Sequence, residues 1–188
     1  MDPAQLLALI DALEGRTVAV IGDVVADEFV YGRVARVSRE APVLILEYDS
    51  TEVVAGAGGN AANNVAAVGG RAALVSVIGR DEPGRRLLSS LHPHVDARRV
   101  LRSTGQETTV KRRILAGGIH SAKQQVVRID RIRRRTFDRQ TRQMFERAAL
   151  DALADADAVV MSDYGSGLVT PRLAARLRQR YGKEKVLT

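Results

Sequence analysis

The chain has 188 residues, of which 45% are hydrophobic, enough for one domain with a buried core. It contains no cysteine, which excludes disulfides and cysteine-ligated zinc, and no apolar run approaches the ~20 residues that span a bilayer. The net charge of +7 comes almost wholly from arginine. We therefore predict a soluble cytoplasmic protein that has no membrane partner.

The N-terminal part predicts a helix followed by a buried strand. Residues 3–14 have the apolar periodicity of an amphipathic helix, without the basic start of a signal peptide. The segment TVAVIGD then predicts a strand that ends at Asp23. Because ligands of open α/β sheets bind beyond the carboxyl ends of the strands, Asp23 is a candidate acceptor for ligand hydroxyls. The alternative is that Asp23, like Asp27 after it, only caps a turn.

Two further segments predict a small β-sheet that projects from the core as a lid. Residues 29–54 and 107–130 each hold two β-prone runs separated by turn residues, which is typical of a hairpin. Together they predict an antiparallel lid sheet. The core then comprises residues 1–28, 55–106 and 131–188. An exposed edge of the lid sheet could pair with a second chain.

The glycine-rich segment AGAGGNAANNVAAVGG, at residues 55–70, predicts a ligand-binding turn that opens a helix. Gly56, Gly58 and Gly59 can take positive φ angles and bring backbone N–H groups close to a ligand. The helix is expected to begin at Asn60. Since Asn60 and Asn64 lie on one helical face, both amides can reach the same polar ligand.

Two other interpretations of this segment stay open. GAGGNA also fits the dinucleotide fingerprint, although the first strand lies far upstream and Asp81 is only a loose match for the expected acid. Alternatively, the glycines serve only close packing of the helix. A turn for a small polar ligand is the interpretation that we favour.

The second half continues the α/β alternation. Pro83 and Pro171 each open a predicted helix, and a third helix, over residues 138–154, buries one apolar side. That side comprises Met144, Phe145, Ala148, Ala149, Ala152 and Leu153. A strand from Ala158 to Met161 ends just before Asp163, which could bind the ligand or cap a turn. A further core strand begins in KVLT, which indicates the front part of a larger unit.

Basic and histidine residues give weaker signals. The arginine-rich segment 128–142 is interleaved with aspartates, so we interpret it as a solvated loop leading into a helix and not as a nucleic-acid site. His92, His94 and His120 lack metal-ligand spacing with a carboxylate partner. We therefore predict no metal site and no nucleic-acid partner.

The glycine-rich segment, with Gly69 and Gly79 at the expected later spacing, resembles the N-terminal signature of the ribokinase-like (PfkB) carbohydrate kinases. Other segments resemble those of the heptose 7-phosphate kinases within that family: GDVVADEFVYG, RVSREAPV, TTVKRRIL, QQVVRID and MSDYGSG. The resemblance implies a ribokinase-like three-layer α/β/α sandwich with a β lid, and it implies that the C-terminal part of the fold is missing from this chain.

The resemblance also implies an activity: phosphorylation of a sugar hydroxyl with ATP and Mg²⁺, on heptose 7-phosphate, in the synthesis of ADP-heptose for lipopolysaccharide. In the family, the later half supplies most of the nucleotide site and a GAGD motif with the general base. This sequence contains no GAGD. We therefore expect no catalytic base here, poor ATP binding, and weak or no turnover by the chain alone.

By the same resemblance, twelve residues are expected to bind substrate, with hydroxyls held by the core residues and the phosphate by lid cations. They are Asp23, Asp27, Gly58, Gly59, Asn60, Asn64, Arg36, Lys111, Arg113, Gln125, Arg128 and Asp163. The sequence departs from the family pattern at Arg39 and Leu44, where prolines are usual, and Ala57-Gly58 reverses the customary Gly-Ala order.

The expected partners are a sugar phosphate and either a second copy bound through the lid or a complementing C-terminal half. Two alternatives remain: a non-catalytic sugar-phosphate-binding module, and, less favoured, a dinucleotide-binding domain.

Overall fold

The computed structural model describes residues 2–117, 122–132, 137–182 and 186–187. The helices and strands follow one another in the order α1 (Pro3–Asp11), β1 (Thr17–Gly22), β2 (Val24–Val37), β3 (Leu44–Ala57), α2 (Gly58–Ala67), β4 (Arg71–Gly79), α3 (Glu82–Ser89), β5 (Val95–Ser103), β6 (Val110–Gly117), β7 (Gln124–Arg131), α4 (Arg139–Ala152), β8 (Ala158–Ser162), α5 (Pro171–Tyr181) and β9 (Val186–Leu187).

The core is a parallel sheet covered by helices on both faces. Its strand order is β5-β4-β1-β8-β9, and every neighbouring pair is parallel. Strands buried on both faces are nearly continuous apolar runs, as β1 and β4 are here. One buried cluster packs the sheet against α2 and α3, and the other packs it against α4 and α5. The predicted three-layer α/β/α sandwich is confirmed.

The lid is a second sheet with the strand order β3-β2-β6-β7. The two predicted hairpins are present, since β2 pairs antiparallel with β3 and β6 with β7. However, β2 and β6 pair in parallel, from Ala26 with Val110 to Arg33 with Gly117. The prediction of a purely antiparallel lid is therefore wrong. Between the hairpins the chain passes through α2, β4, α3 and β5, and β6 then runs in the same direction as β2.

The lid grows directly out of the core. Strand β2 begins at Val24, one residue after β1, and β3 runs without interruption to the start of α2. Val24, Ala26 and Ala55, at the lid base, are buried in the cluster that packs against α2. The base of the lid is thus part of the core, and only its outer half projects from it.

Two helices bury less than the sequence predicts. Helix α1 ends at Asp11, earlier than predicted, and none of its residues is buried; Leu7 is 62% exposed. In α4, Phe145, Ala149 and Ala152 are buried as predicted, but Met144 is half-exposed because it lines a surface groove between α4 and α5. None of the helices in the described ranges has the length and apolar character of a membrane span.

Candidate functional site

The carboxyl ends of β1 and β8 meet the start of α2 at one closely packed point. Gly22 has φ +147°, and a Cβ on it would lie 2.0 Å from the carbonyl oxygen of Ser162. The N–H of Asp23 donates to that same oxygen at 2.9 Å. The N–H of Gly58 in turn donates to the carbonyl of Asp23 at 2.8 Å. Little movement is possible here without breaking backbone hydrogen bonds.

The Asp23 side chain holds the turn that follows β8. It is only 4% exposed, and its Oδ2 accepts from the backbone N–H of Tyr164 at 2.8 Å and of Ser166 at 3.3 Å. Its Oδ1 accepts from the Ser166 hydroxyl. The structure therefore shows Asp23 in the turn-capping role that the sequence left open. Its contact with a sugar hydroxyl stays a prediction.

The glycine-rich segment is a junction between a strand and a helix. Strand β3 continues through Ala57, and α2 begins at Gly58, two residues before the predicted start at Asn60. The prediction of positive φ at Gly56, Gly58 and Gly59 is wrong. The positive angle falls on Ala57, with φ 55° and ψ −126°, a conformation that glycine adopts far more readily than alanine.

The three glycines are instead required by close approach. A Cβ at Gly56 would lie 2.2 Å from an Asp27 carboxylate oxygen, one at Gly58 would lie 2.8 Å from the Asp23 carbonyl oxygen, and one at Gly59 would lie 2.8 Å from the Ala55 Cβ. The segment also follows an antiparallel lid strand. A dinucleotide fingerprint belongs after the first parallel strand, so this placement argues against that interpretation.

The asparagines of α2 divide into two kinds. Asn60 and Asn64 are solvent-exposed, and Asn60 lies two residues after Gly58, whose N–H donates to the Asp23 carbonyl. Asn63 is half-buried, donates to the Ser90 carbonyl at 3.3 Å and accepts from the His92 N–H at 2.8 Å. Asn63 thus fixes α2 to the segment after α3.

Asp163 occupies the exposed side of the turn after β8. Its Oδ1 accepts from the Gly165 N–H at 2.9 Å, so it caps the turn. Gly165 and Gly167 have φ angles of +80° and +78°, which shape this turn. The other carboxylate oxygen of Asp163 faces no partner among the contacts of the described residues.

The lid residues that were predicted to bind substrate share one face of the lid sheet. Residues paired across neighbouring strands project to the same face. The ladders place Asp27 beside Lys111 and Asp130, Phe29 beside Arg113 and Arg128, and Tyr31 beside Leu115 and Gln125. Arg36, paired with Ile45 near the lid tip, belongs to the same face by register. We call this the inner lid face.

Several cations of the inner lid face are already paired. Arg113 forms an ion pair with Asp27, and its guanidinium carbon lies 5.2 Å from the Phe29 ring centroid. Arg128 contacts Asp130 at 2.9 Å. These carboxylates neutralise the two arginines, so both are held in place before any ligand arrives.

Lys111 differs from these arginines because no carboxylate of the described residues pairs with it. Its Nζ lies 5.9 Å from the centroid of the Tyr164 ring, an exposed cation–π contact worth ~0.5–1 kcal/mol. Tyr164 belongs to the turn that Asp23 holds. The contact between Lys111 and Tyr164 therefore puts the inner lid face opposite the turn that follows β8, near the carboxyl ends of β1 and β8.

The attachment of the lid to the core is a feature that the sequence reasoning missed. Asp81 caps α3 by accepting from the Gly84 N–H at 3.0 Å, and it also accepts from the backbone N–H of Thr108 at 2.9 Å and its hydroxyl at 2.6 Å. Arg131, the last residue of β7, lies 3.8 Å from the same carboxylate. Asp81 thus holds the chain where it enters β6 and where it leaves β7.

Burial raises the pKa of Asp81, but the hydrogen bonds from Thr108 and Gly84 and the charge of Arg131 outweigh it, so the net pKa lies below its ordinary value. The signal was available in the sequence, because an aspartate directly before Glu82-Pro83 is typical of a helix N-cap.

An ion pair between a buried glutamate and a half-exposed arginine on the opposite, outer lid face was also missed. Glu28 is 4% exposed, and its carboxylate lies 2.7 Å from Arg112 Nε. Alternation along β2 and β6 explains why Glu28 and Arg112 turn away from Asp27 and Arg113.

Among the residues that the structure describes, no three histidine or carboxylate side chains come together as a metal-binding group. The rings of His92 and His94 contact each other with centroids 5.2 Å apart. His120 lies outside the described residues.

Comparison with known proteins places this arrangement in a family context. A family model described as pfkB family carbohydrate kinase matches residues 16–186. "Bifunctional protein HldE" from a Caulobacter species is 41% identical over 163 residues, covering 85% of this chain and 31% of that protein. The protein of the same name from Caulobacter vibrioides is 38% identical over 181 residues, covering 91% and 34%. The chain thus spans about a third of the length of the curated relatives that it matches.

A solved structure agrees in fold. Phosphofructokinase-2 from Escherichia coli, crystallised with fructose-6-phosphate, aligns with a TM-score of 0.51 at 14% identity. The alignment covers 92% of this chain and 53% of that protein.

Proposed function

The chain belongs to the pfkB family of carbohydrate kinases, and on that premise we propose that it binds a phosphorylated sugar between the inner lid face and the turn at residues 163–167. The family resemblance found in the sequence is confirmed, as is the ribokinase-like fold. The proposed reaction is ATP-dependent phosphorylation of a sugar hydroxyl, with heptose 7-phosphate as the acceptor, in the formation of lipopolysaccharide precursors.

The observation that carries this proposal is the shared orientation of the lid cations. Arg36, Lys111, Arg113 and Arg128 share this face by register, and Lys111 reaches Tyr164 in the turn that also carries the exposed Asp163. The exposed Asn60 and Asn64 of α2 are proposed to line the opposite side. A sugar that bears a phosphate needs hydrogen-bond partners for its hydroxyls at one end and cations at the other. The space between the inner lid face and the turn at residues 163–167 would offer both.

The cations have different proposed roles. Lys111, with no carboxylate partner among the described residues, contacts the substrate phosphate. Arg36 lies near the lid tip, nine positions along β2 from the Asp27 that pairs with Lys111, and at ~3.3 Å per residue this is too far for both side chains to reach one phosphate, so Arg36 extends the positive face outward. Arg113 and Arg128 are neutralised by Asp27 and Asp130, so they shape the inner lid face and add less charge. Asp23, Gly58 and Gly59 form the floor, and Gln125 lies at the outer margin of the face.

ATP and Mg²⁺ are implied by the family, and among the described residues no three histidine or carboxylate side chains are gathered around one point. No GAGD motif occurs in the sequence. We therefore assign neither group to a residue of this chain and propose that the general base and nucleotide site come from sequence outside it. If so, the chain alone shows weak or no turnover in an ATP-dependent assay with heptose 7-phosphate and with ribose.

Because we assign no general base to this chain, a second candidate function is a non-catalytic module that binds a sugar phosphate. Both candidates predict sugar-phosphate binding, and they differ in the effect of ATP. Calorimetry without and with ATP separates them. The binding module is favoured if the sugar phosphate binds equally well without ATP and no nucleotide binds. It is also favoured if no turnover appears after the C-terminal half of a relative is added.

Calorimetry with heptose 7-phosphate and with unphosphorylated heptose tests the site. We expect the phosphate to strengthen binding at least tenfold, because a charge-assisted contact contributes about 1.5–3 kcal/mol. Lys111→Gln should abolish most of that preference. The matched control is Lys123→Gln, which removes a lid lysine already paired with Asp49 at 2.6 Å. Equal binding of the two sugars by the unmodified chain, or equal losses in both variants, contradicts the proposal.

We further propose that a second copy binds the outer lid face. Val127 and Ile129 project there, opposite Arg128, and are 45% and 53% exposed. Analytical ultracentrifugation of Ile129→Glu tests this: we expect the unmodified chain to dimerise and the variant to remain monomeric. A monomeric unmodified chain contradicts the dimer and leaves a complementing C-terminal half as the partner.

A further inference from the structure

A small cavity at the far side of the core sheet is lined by three arginines. It lies where β4 and its outer neighbour β5 end, and its lining residues are Ile78, Gly79, Arg80, Arg85 and Arg102. Its volume is about 300 Å³. Gly79 in its lining also donates its N–H to the Thr108 hydroxyl at the lid base, but no residue of the inner lid face or of the turn at residues 163–167 lines the cavity. The cavity is therefore separate from the proposed sugar site.

The backbone fixes these arginines relative to one another. Arg102 lies beside Ile78 in the ladder between β4 and β5. Arg80, the residue after β4, donates its backbone N–H to the Ser103 carbonyl at 3.1 Å and its Nε to the Arg102 carbonyl at 3.3 Å. This second bond draws the Arg80 side chain over β5 and leaves its terminal nitrogens free to contact a ligand.

The positive charge of the arginines around the cavity is only partly neutralised by carboxylates. Among the residues that the structure describes, Arg80 and Arg102 form no ion pair with a carboxylate, whereas Arg85 pairs with Glu82. The other nearby acid, Asp81, is committed to Thr108, Gly84 and Arg131. No carboxylate is part of the cavity lining. Cations held close together in a concave surface attract an anion strongly, because their mutual repulsion is relieved when it binds.

We propose that this cavity is a second binding site, for a small oxyanion such as inorganic phosphate or a small phosphorylated metabolite. Guanidinium groups present planar pairs of N–H donors that match phosphate oxygens. A volume of about 300 Å³ lies at the lower limit of small-molecule sites, so it suits a phosphate group with a small attachment better than a nucleotide. Two arginines without carboxylate partners supply the specificity for an anion.

Titration with inorganic phosphate, followed by thermal unfolding and by NMR of the arginine Nε–H groups, tests this site. Chloride at equal ionic strength controls for screening. In the unmodified chain we expect phosphate to raise the unfolding temperature and to shift the signals of Arg80 and Arg102. The double variant Arg80→Gln/Arg102→Gln should weaken the apparent phosphate affinity at least tenfold. The matched control Arg172→Gln, which removes an exposed arginine at the start of α5, should retain it.

Lys111→Gln separates the two sites. The second site is supported if the phosphate response persists in Lys111→Gln and is lost in the double arginine variant. Calorimetric sugar binding by the double arginine variant should also be unchanged. If the response disappears in Lys111→Gln instead, phosphate binds at the sugar site and the inference is wrong. An equal response in all variants, or an equal effect of chloride, also overturns it. Circular dichroism of the double variant confirms that any loss is not caused by unfolding.

A metabolite is distinguished from free phosphate by a second series of titrations. A small sugar phosphate and its unphosphorylated sugar are compared in the Lys111→Gln background. Binding of the sugar phosphate that is tighter than that of inorganic phosphate indicates a metabolite site. Equal affinities indicate a site for phosphate itself.

Discussion

The carboxylate of Asp23 accepts a hydrogen bond of 2.8 Å from the backbone N–H of Tyr164, so the end of β1 holds the turn that follows β8. The two residues are 141 positions apart in the chain. Because the Ser166 N–H and hydroxyl also donate to it, the buried carboxylate is well satisfied. The geometry of the proposed sugar site depends on this link between distant segments.

Asp23→Asn is expected to release that turn and to lower the free energy of unfolding by about 1–3 kcal/mol. An amide keeps one acceptor oxygen for the two N–H groups, but it loses the negative charge and the second acceptor, to which the Ser166 hydroxyl donates. Urea unfolding gives the loss, and hydrogen exchange at the Tyr164 and Ser166 amides reports the turn. The control Asp163→Asn, an exposed position, should change stability by no more than about 0.5 kcal/mol. Unchanged protection of both amides in Asp23→Asn would contradict the link.

Ala57→Gly is expected to stabilise the protein by about 1 kcal/mol. Ala57 has φ 55° and ψ −126°, a region that is costly for a residue with a Cβ. Glycine removes that strain, although it adds entropy to the unfolded chain. The denaturant midpoint should rise, whereas Ala61→Gly, inside α2, should lower it by roughly 0.5–1 kcal/mol. A fall in midpoint in both variants would show that Ala57 is not strained.

Gly22→Ala is expected to destabilise the fold by about 3 kcal/mol or more. The added Cβ would lie 2.0 Å from the Ser162 carbonyl oxygen, and φ is positive. Gly165→Ala is the matched control, since φ is also positive there but no atom lies within contact distance of the added Cβ. It should cost only about 1–2 kcal/mol. Equal losses of unfolding free energy would mean that the backbone angle alone, and not the contact with Ser162, decides the outcome.

The contribution of Asp81 to stability should depend on pH. Its folded pKa lies below the ordinary value of 3.8, so the folded state favours the ionised carboxylate. The contribution is therefore fully present above about pH 3.8 and is lost as the pH falls through the lower folded pKa. Urea unfolding of the unmodified chain and of Asp81→Asn should give a difference that shrinks as the pH falls through this window.

Thr108→Val provides the control for this pH profile. It removes the hydroxyl that donates to Asp81 and that also accepts from the buried Gly79 N–H at 3.0 Å, and it keeps the backbone N–H. We therefore expect a loss that does not depend on pH, together with a pH-dependent part smaller than that of Asp81→Asn. A difference between the unmodified chain and Asp81→Asn that stays constant with pH would show that Asp81 acts without its charge.

Much of the architecture could be predicted from local sequence patterns. The apolar runs of β1, β4 and β8, and the capping residues before Pro83 and Pro171, depend on neighbouring residues only. The lid hairpins follow from β-prone runs separated by turn residues. Lys111 and Arg113, two positions apart in a predicted strand, could be placed on one face by the same argument.

The remainder depends on pairings between distant segments. Whether Arg113 contacts a ligand or Asp27 is decided by the register between β2 and β6, which no local pattern contains. The positive φ falls on Ala57, whereas the neighbouring Gly56, Gly58 and Gly59 lie where Asp27, the Asp23 carbonyl and Ala55 approach closely, and the tertiary fold alone sets these positions. Asp23 could be proposed as a ligand residue because it follows a predicted strand. Its contact with the turn after β8 could not be predicted, because that contact joins distant segments of the chain.

The parallel pairing of β2 with β6 also bears on how the protein folds. Glu28 and Arg112, joined across these strands, are 84 positions apart in the chain, so closing this loop carries a large entropic cost before the pairing can repay it. The first hairpin is made early during synthesis, but the edge of β2 that pairs with β6 stays uncovered until α2, β4, α3, β5 and β6 have been made. Until then that edge is an open template for other strands, and we expect the newly made chain to depend on chaperones at this stage.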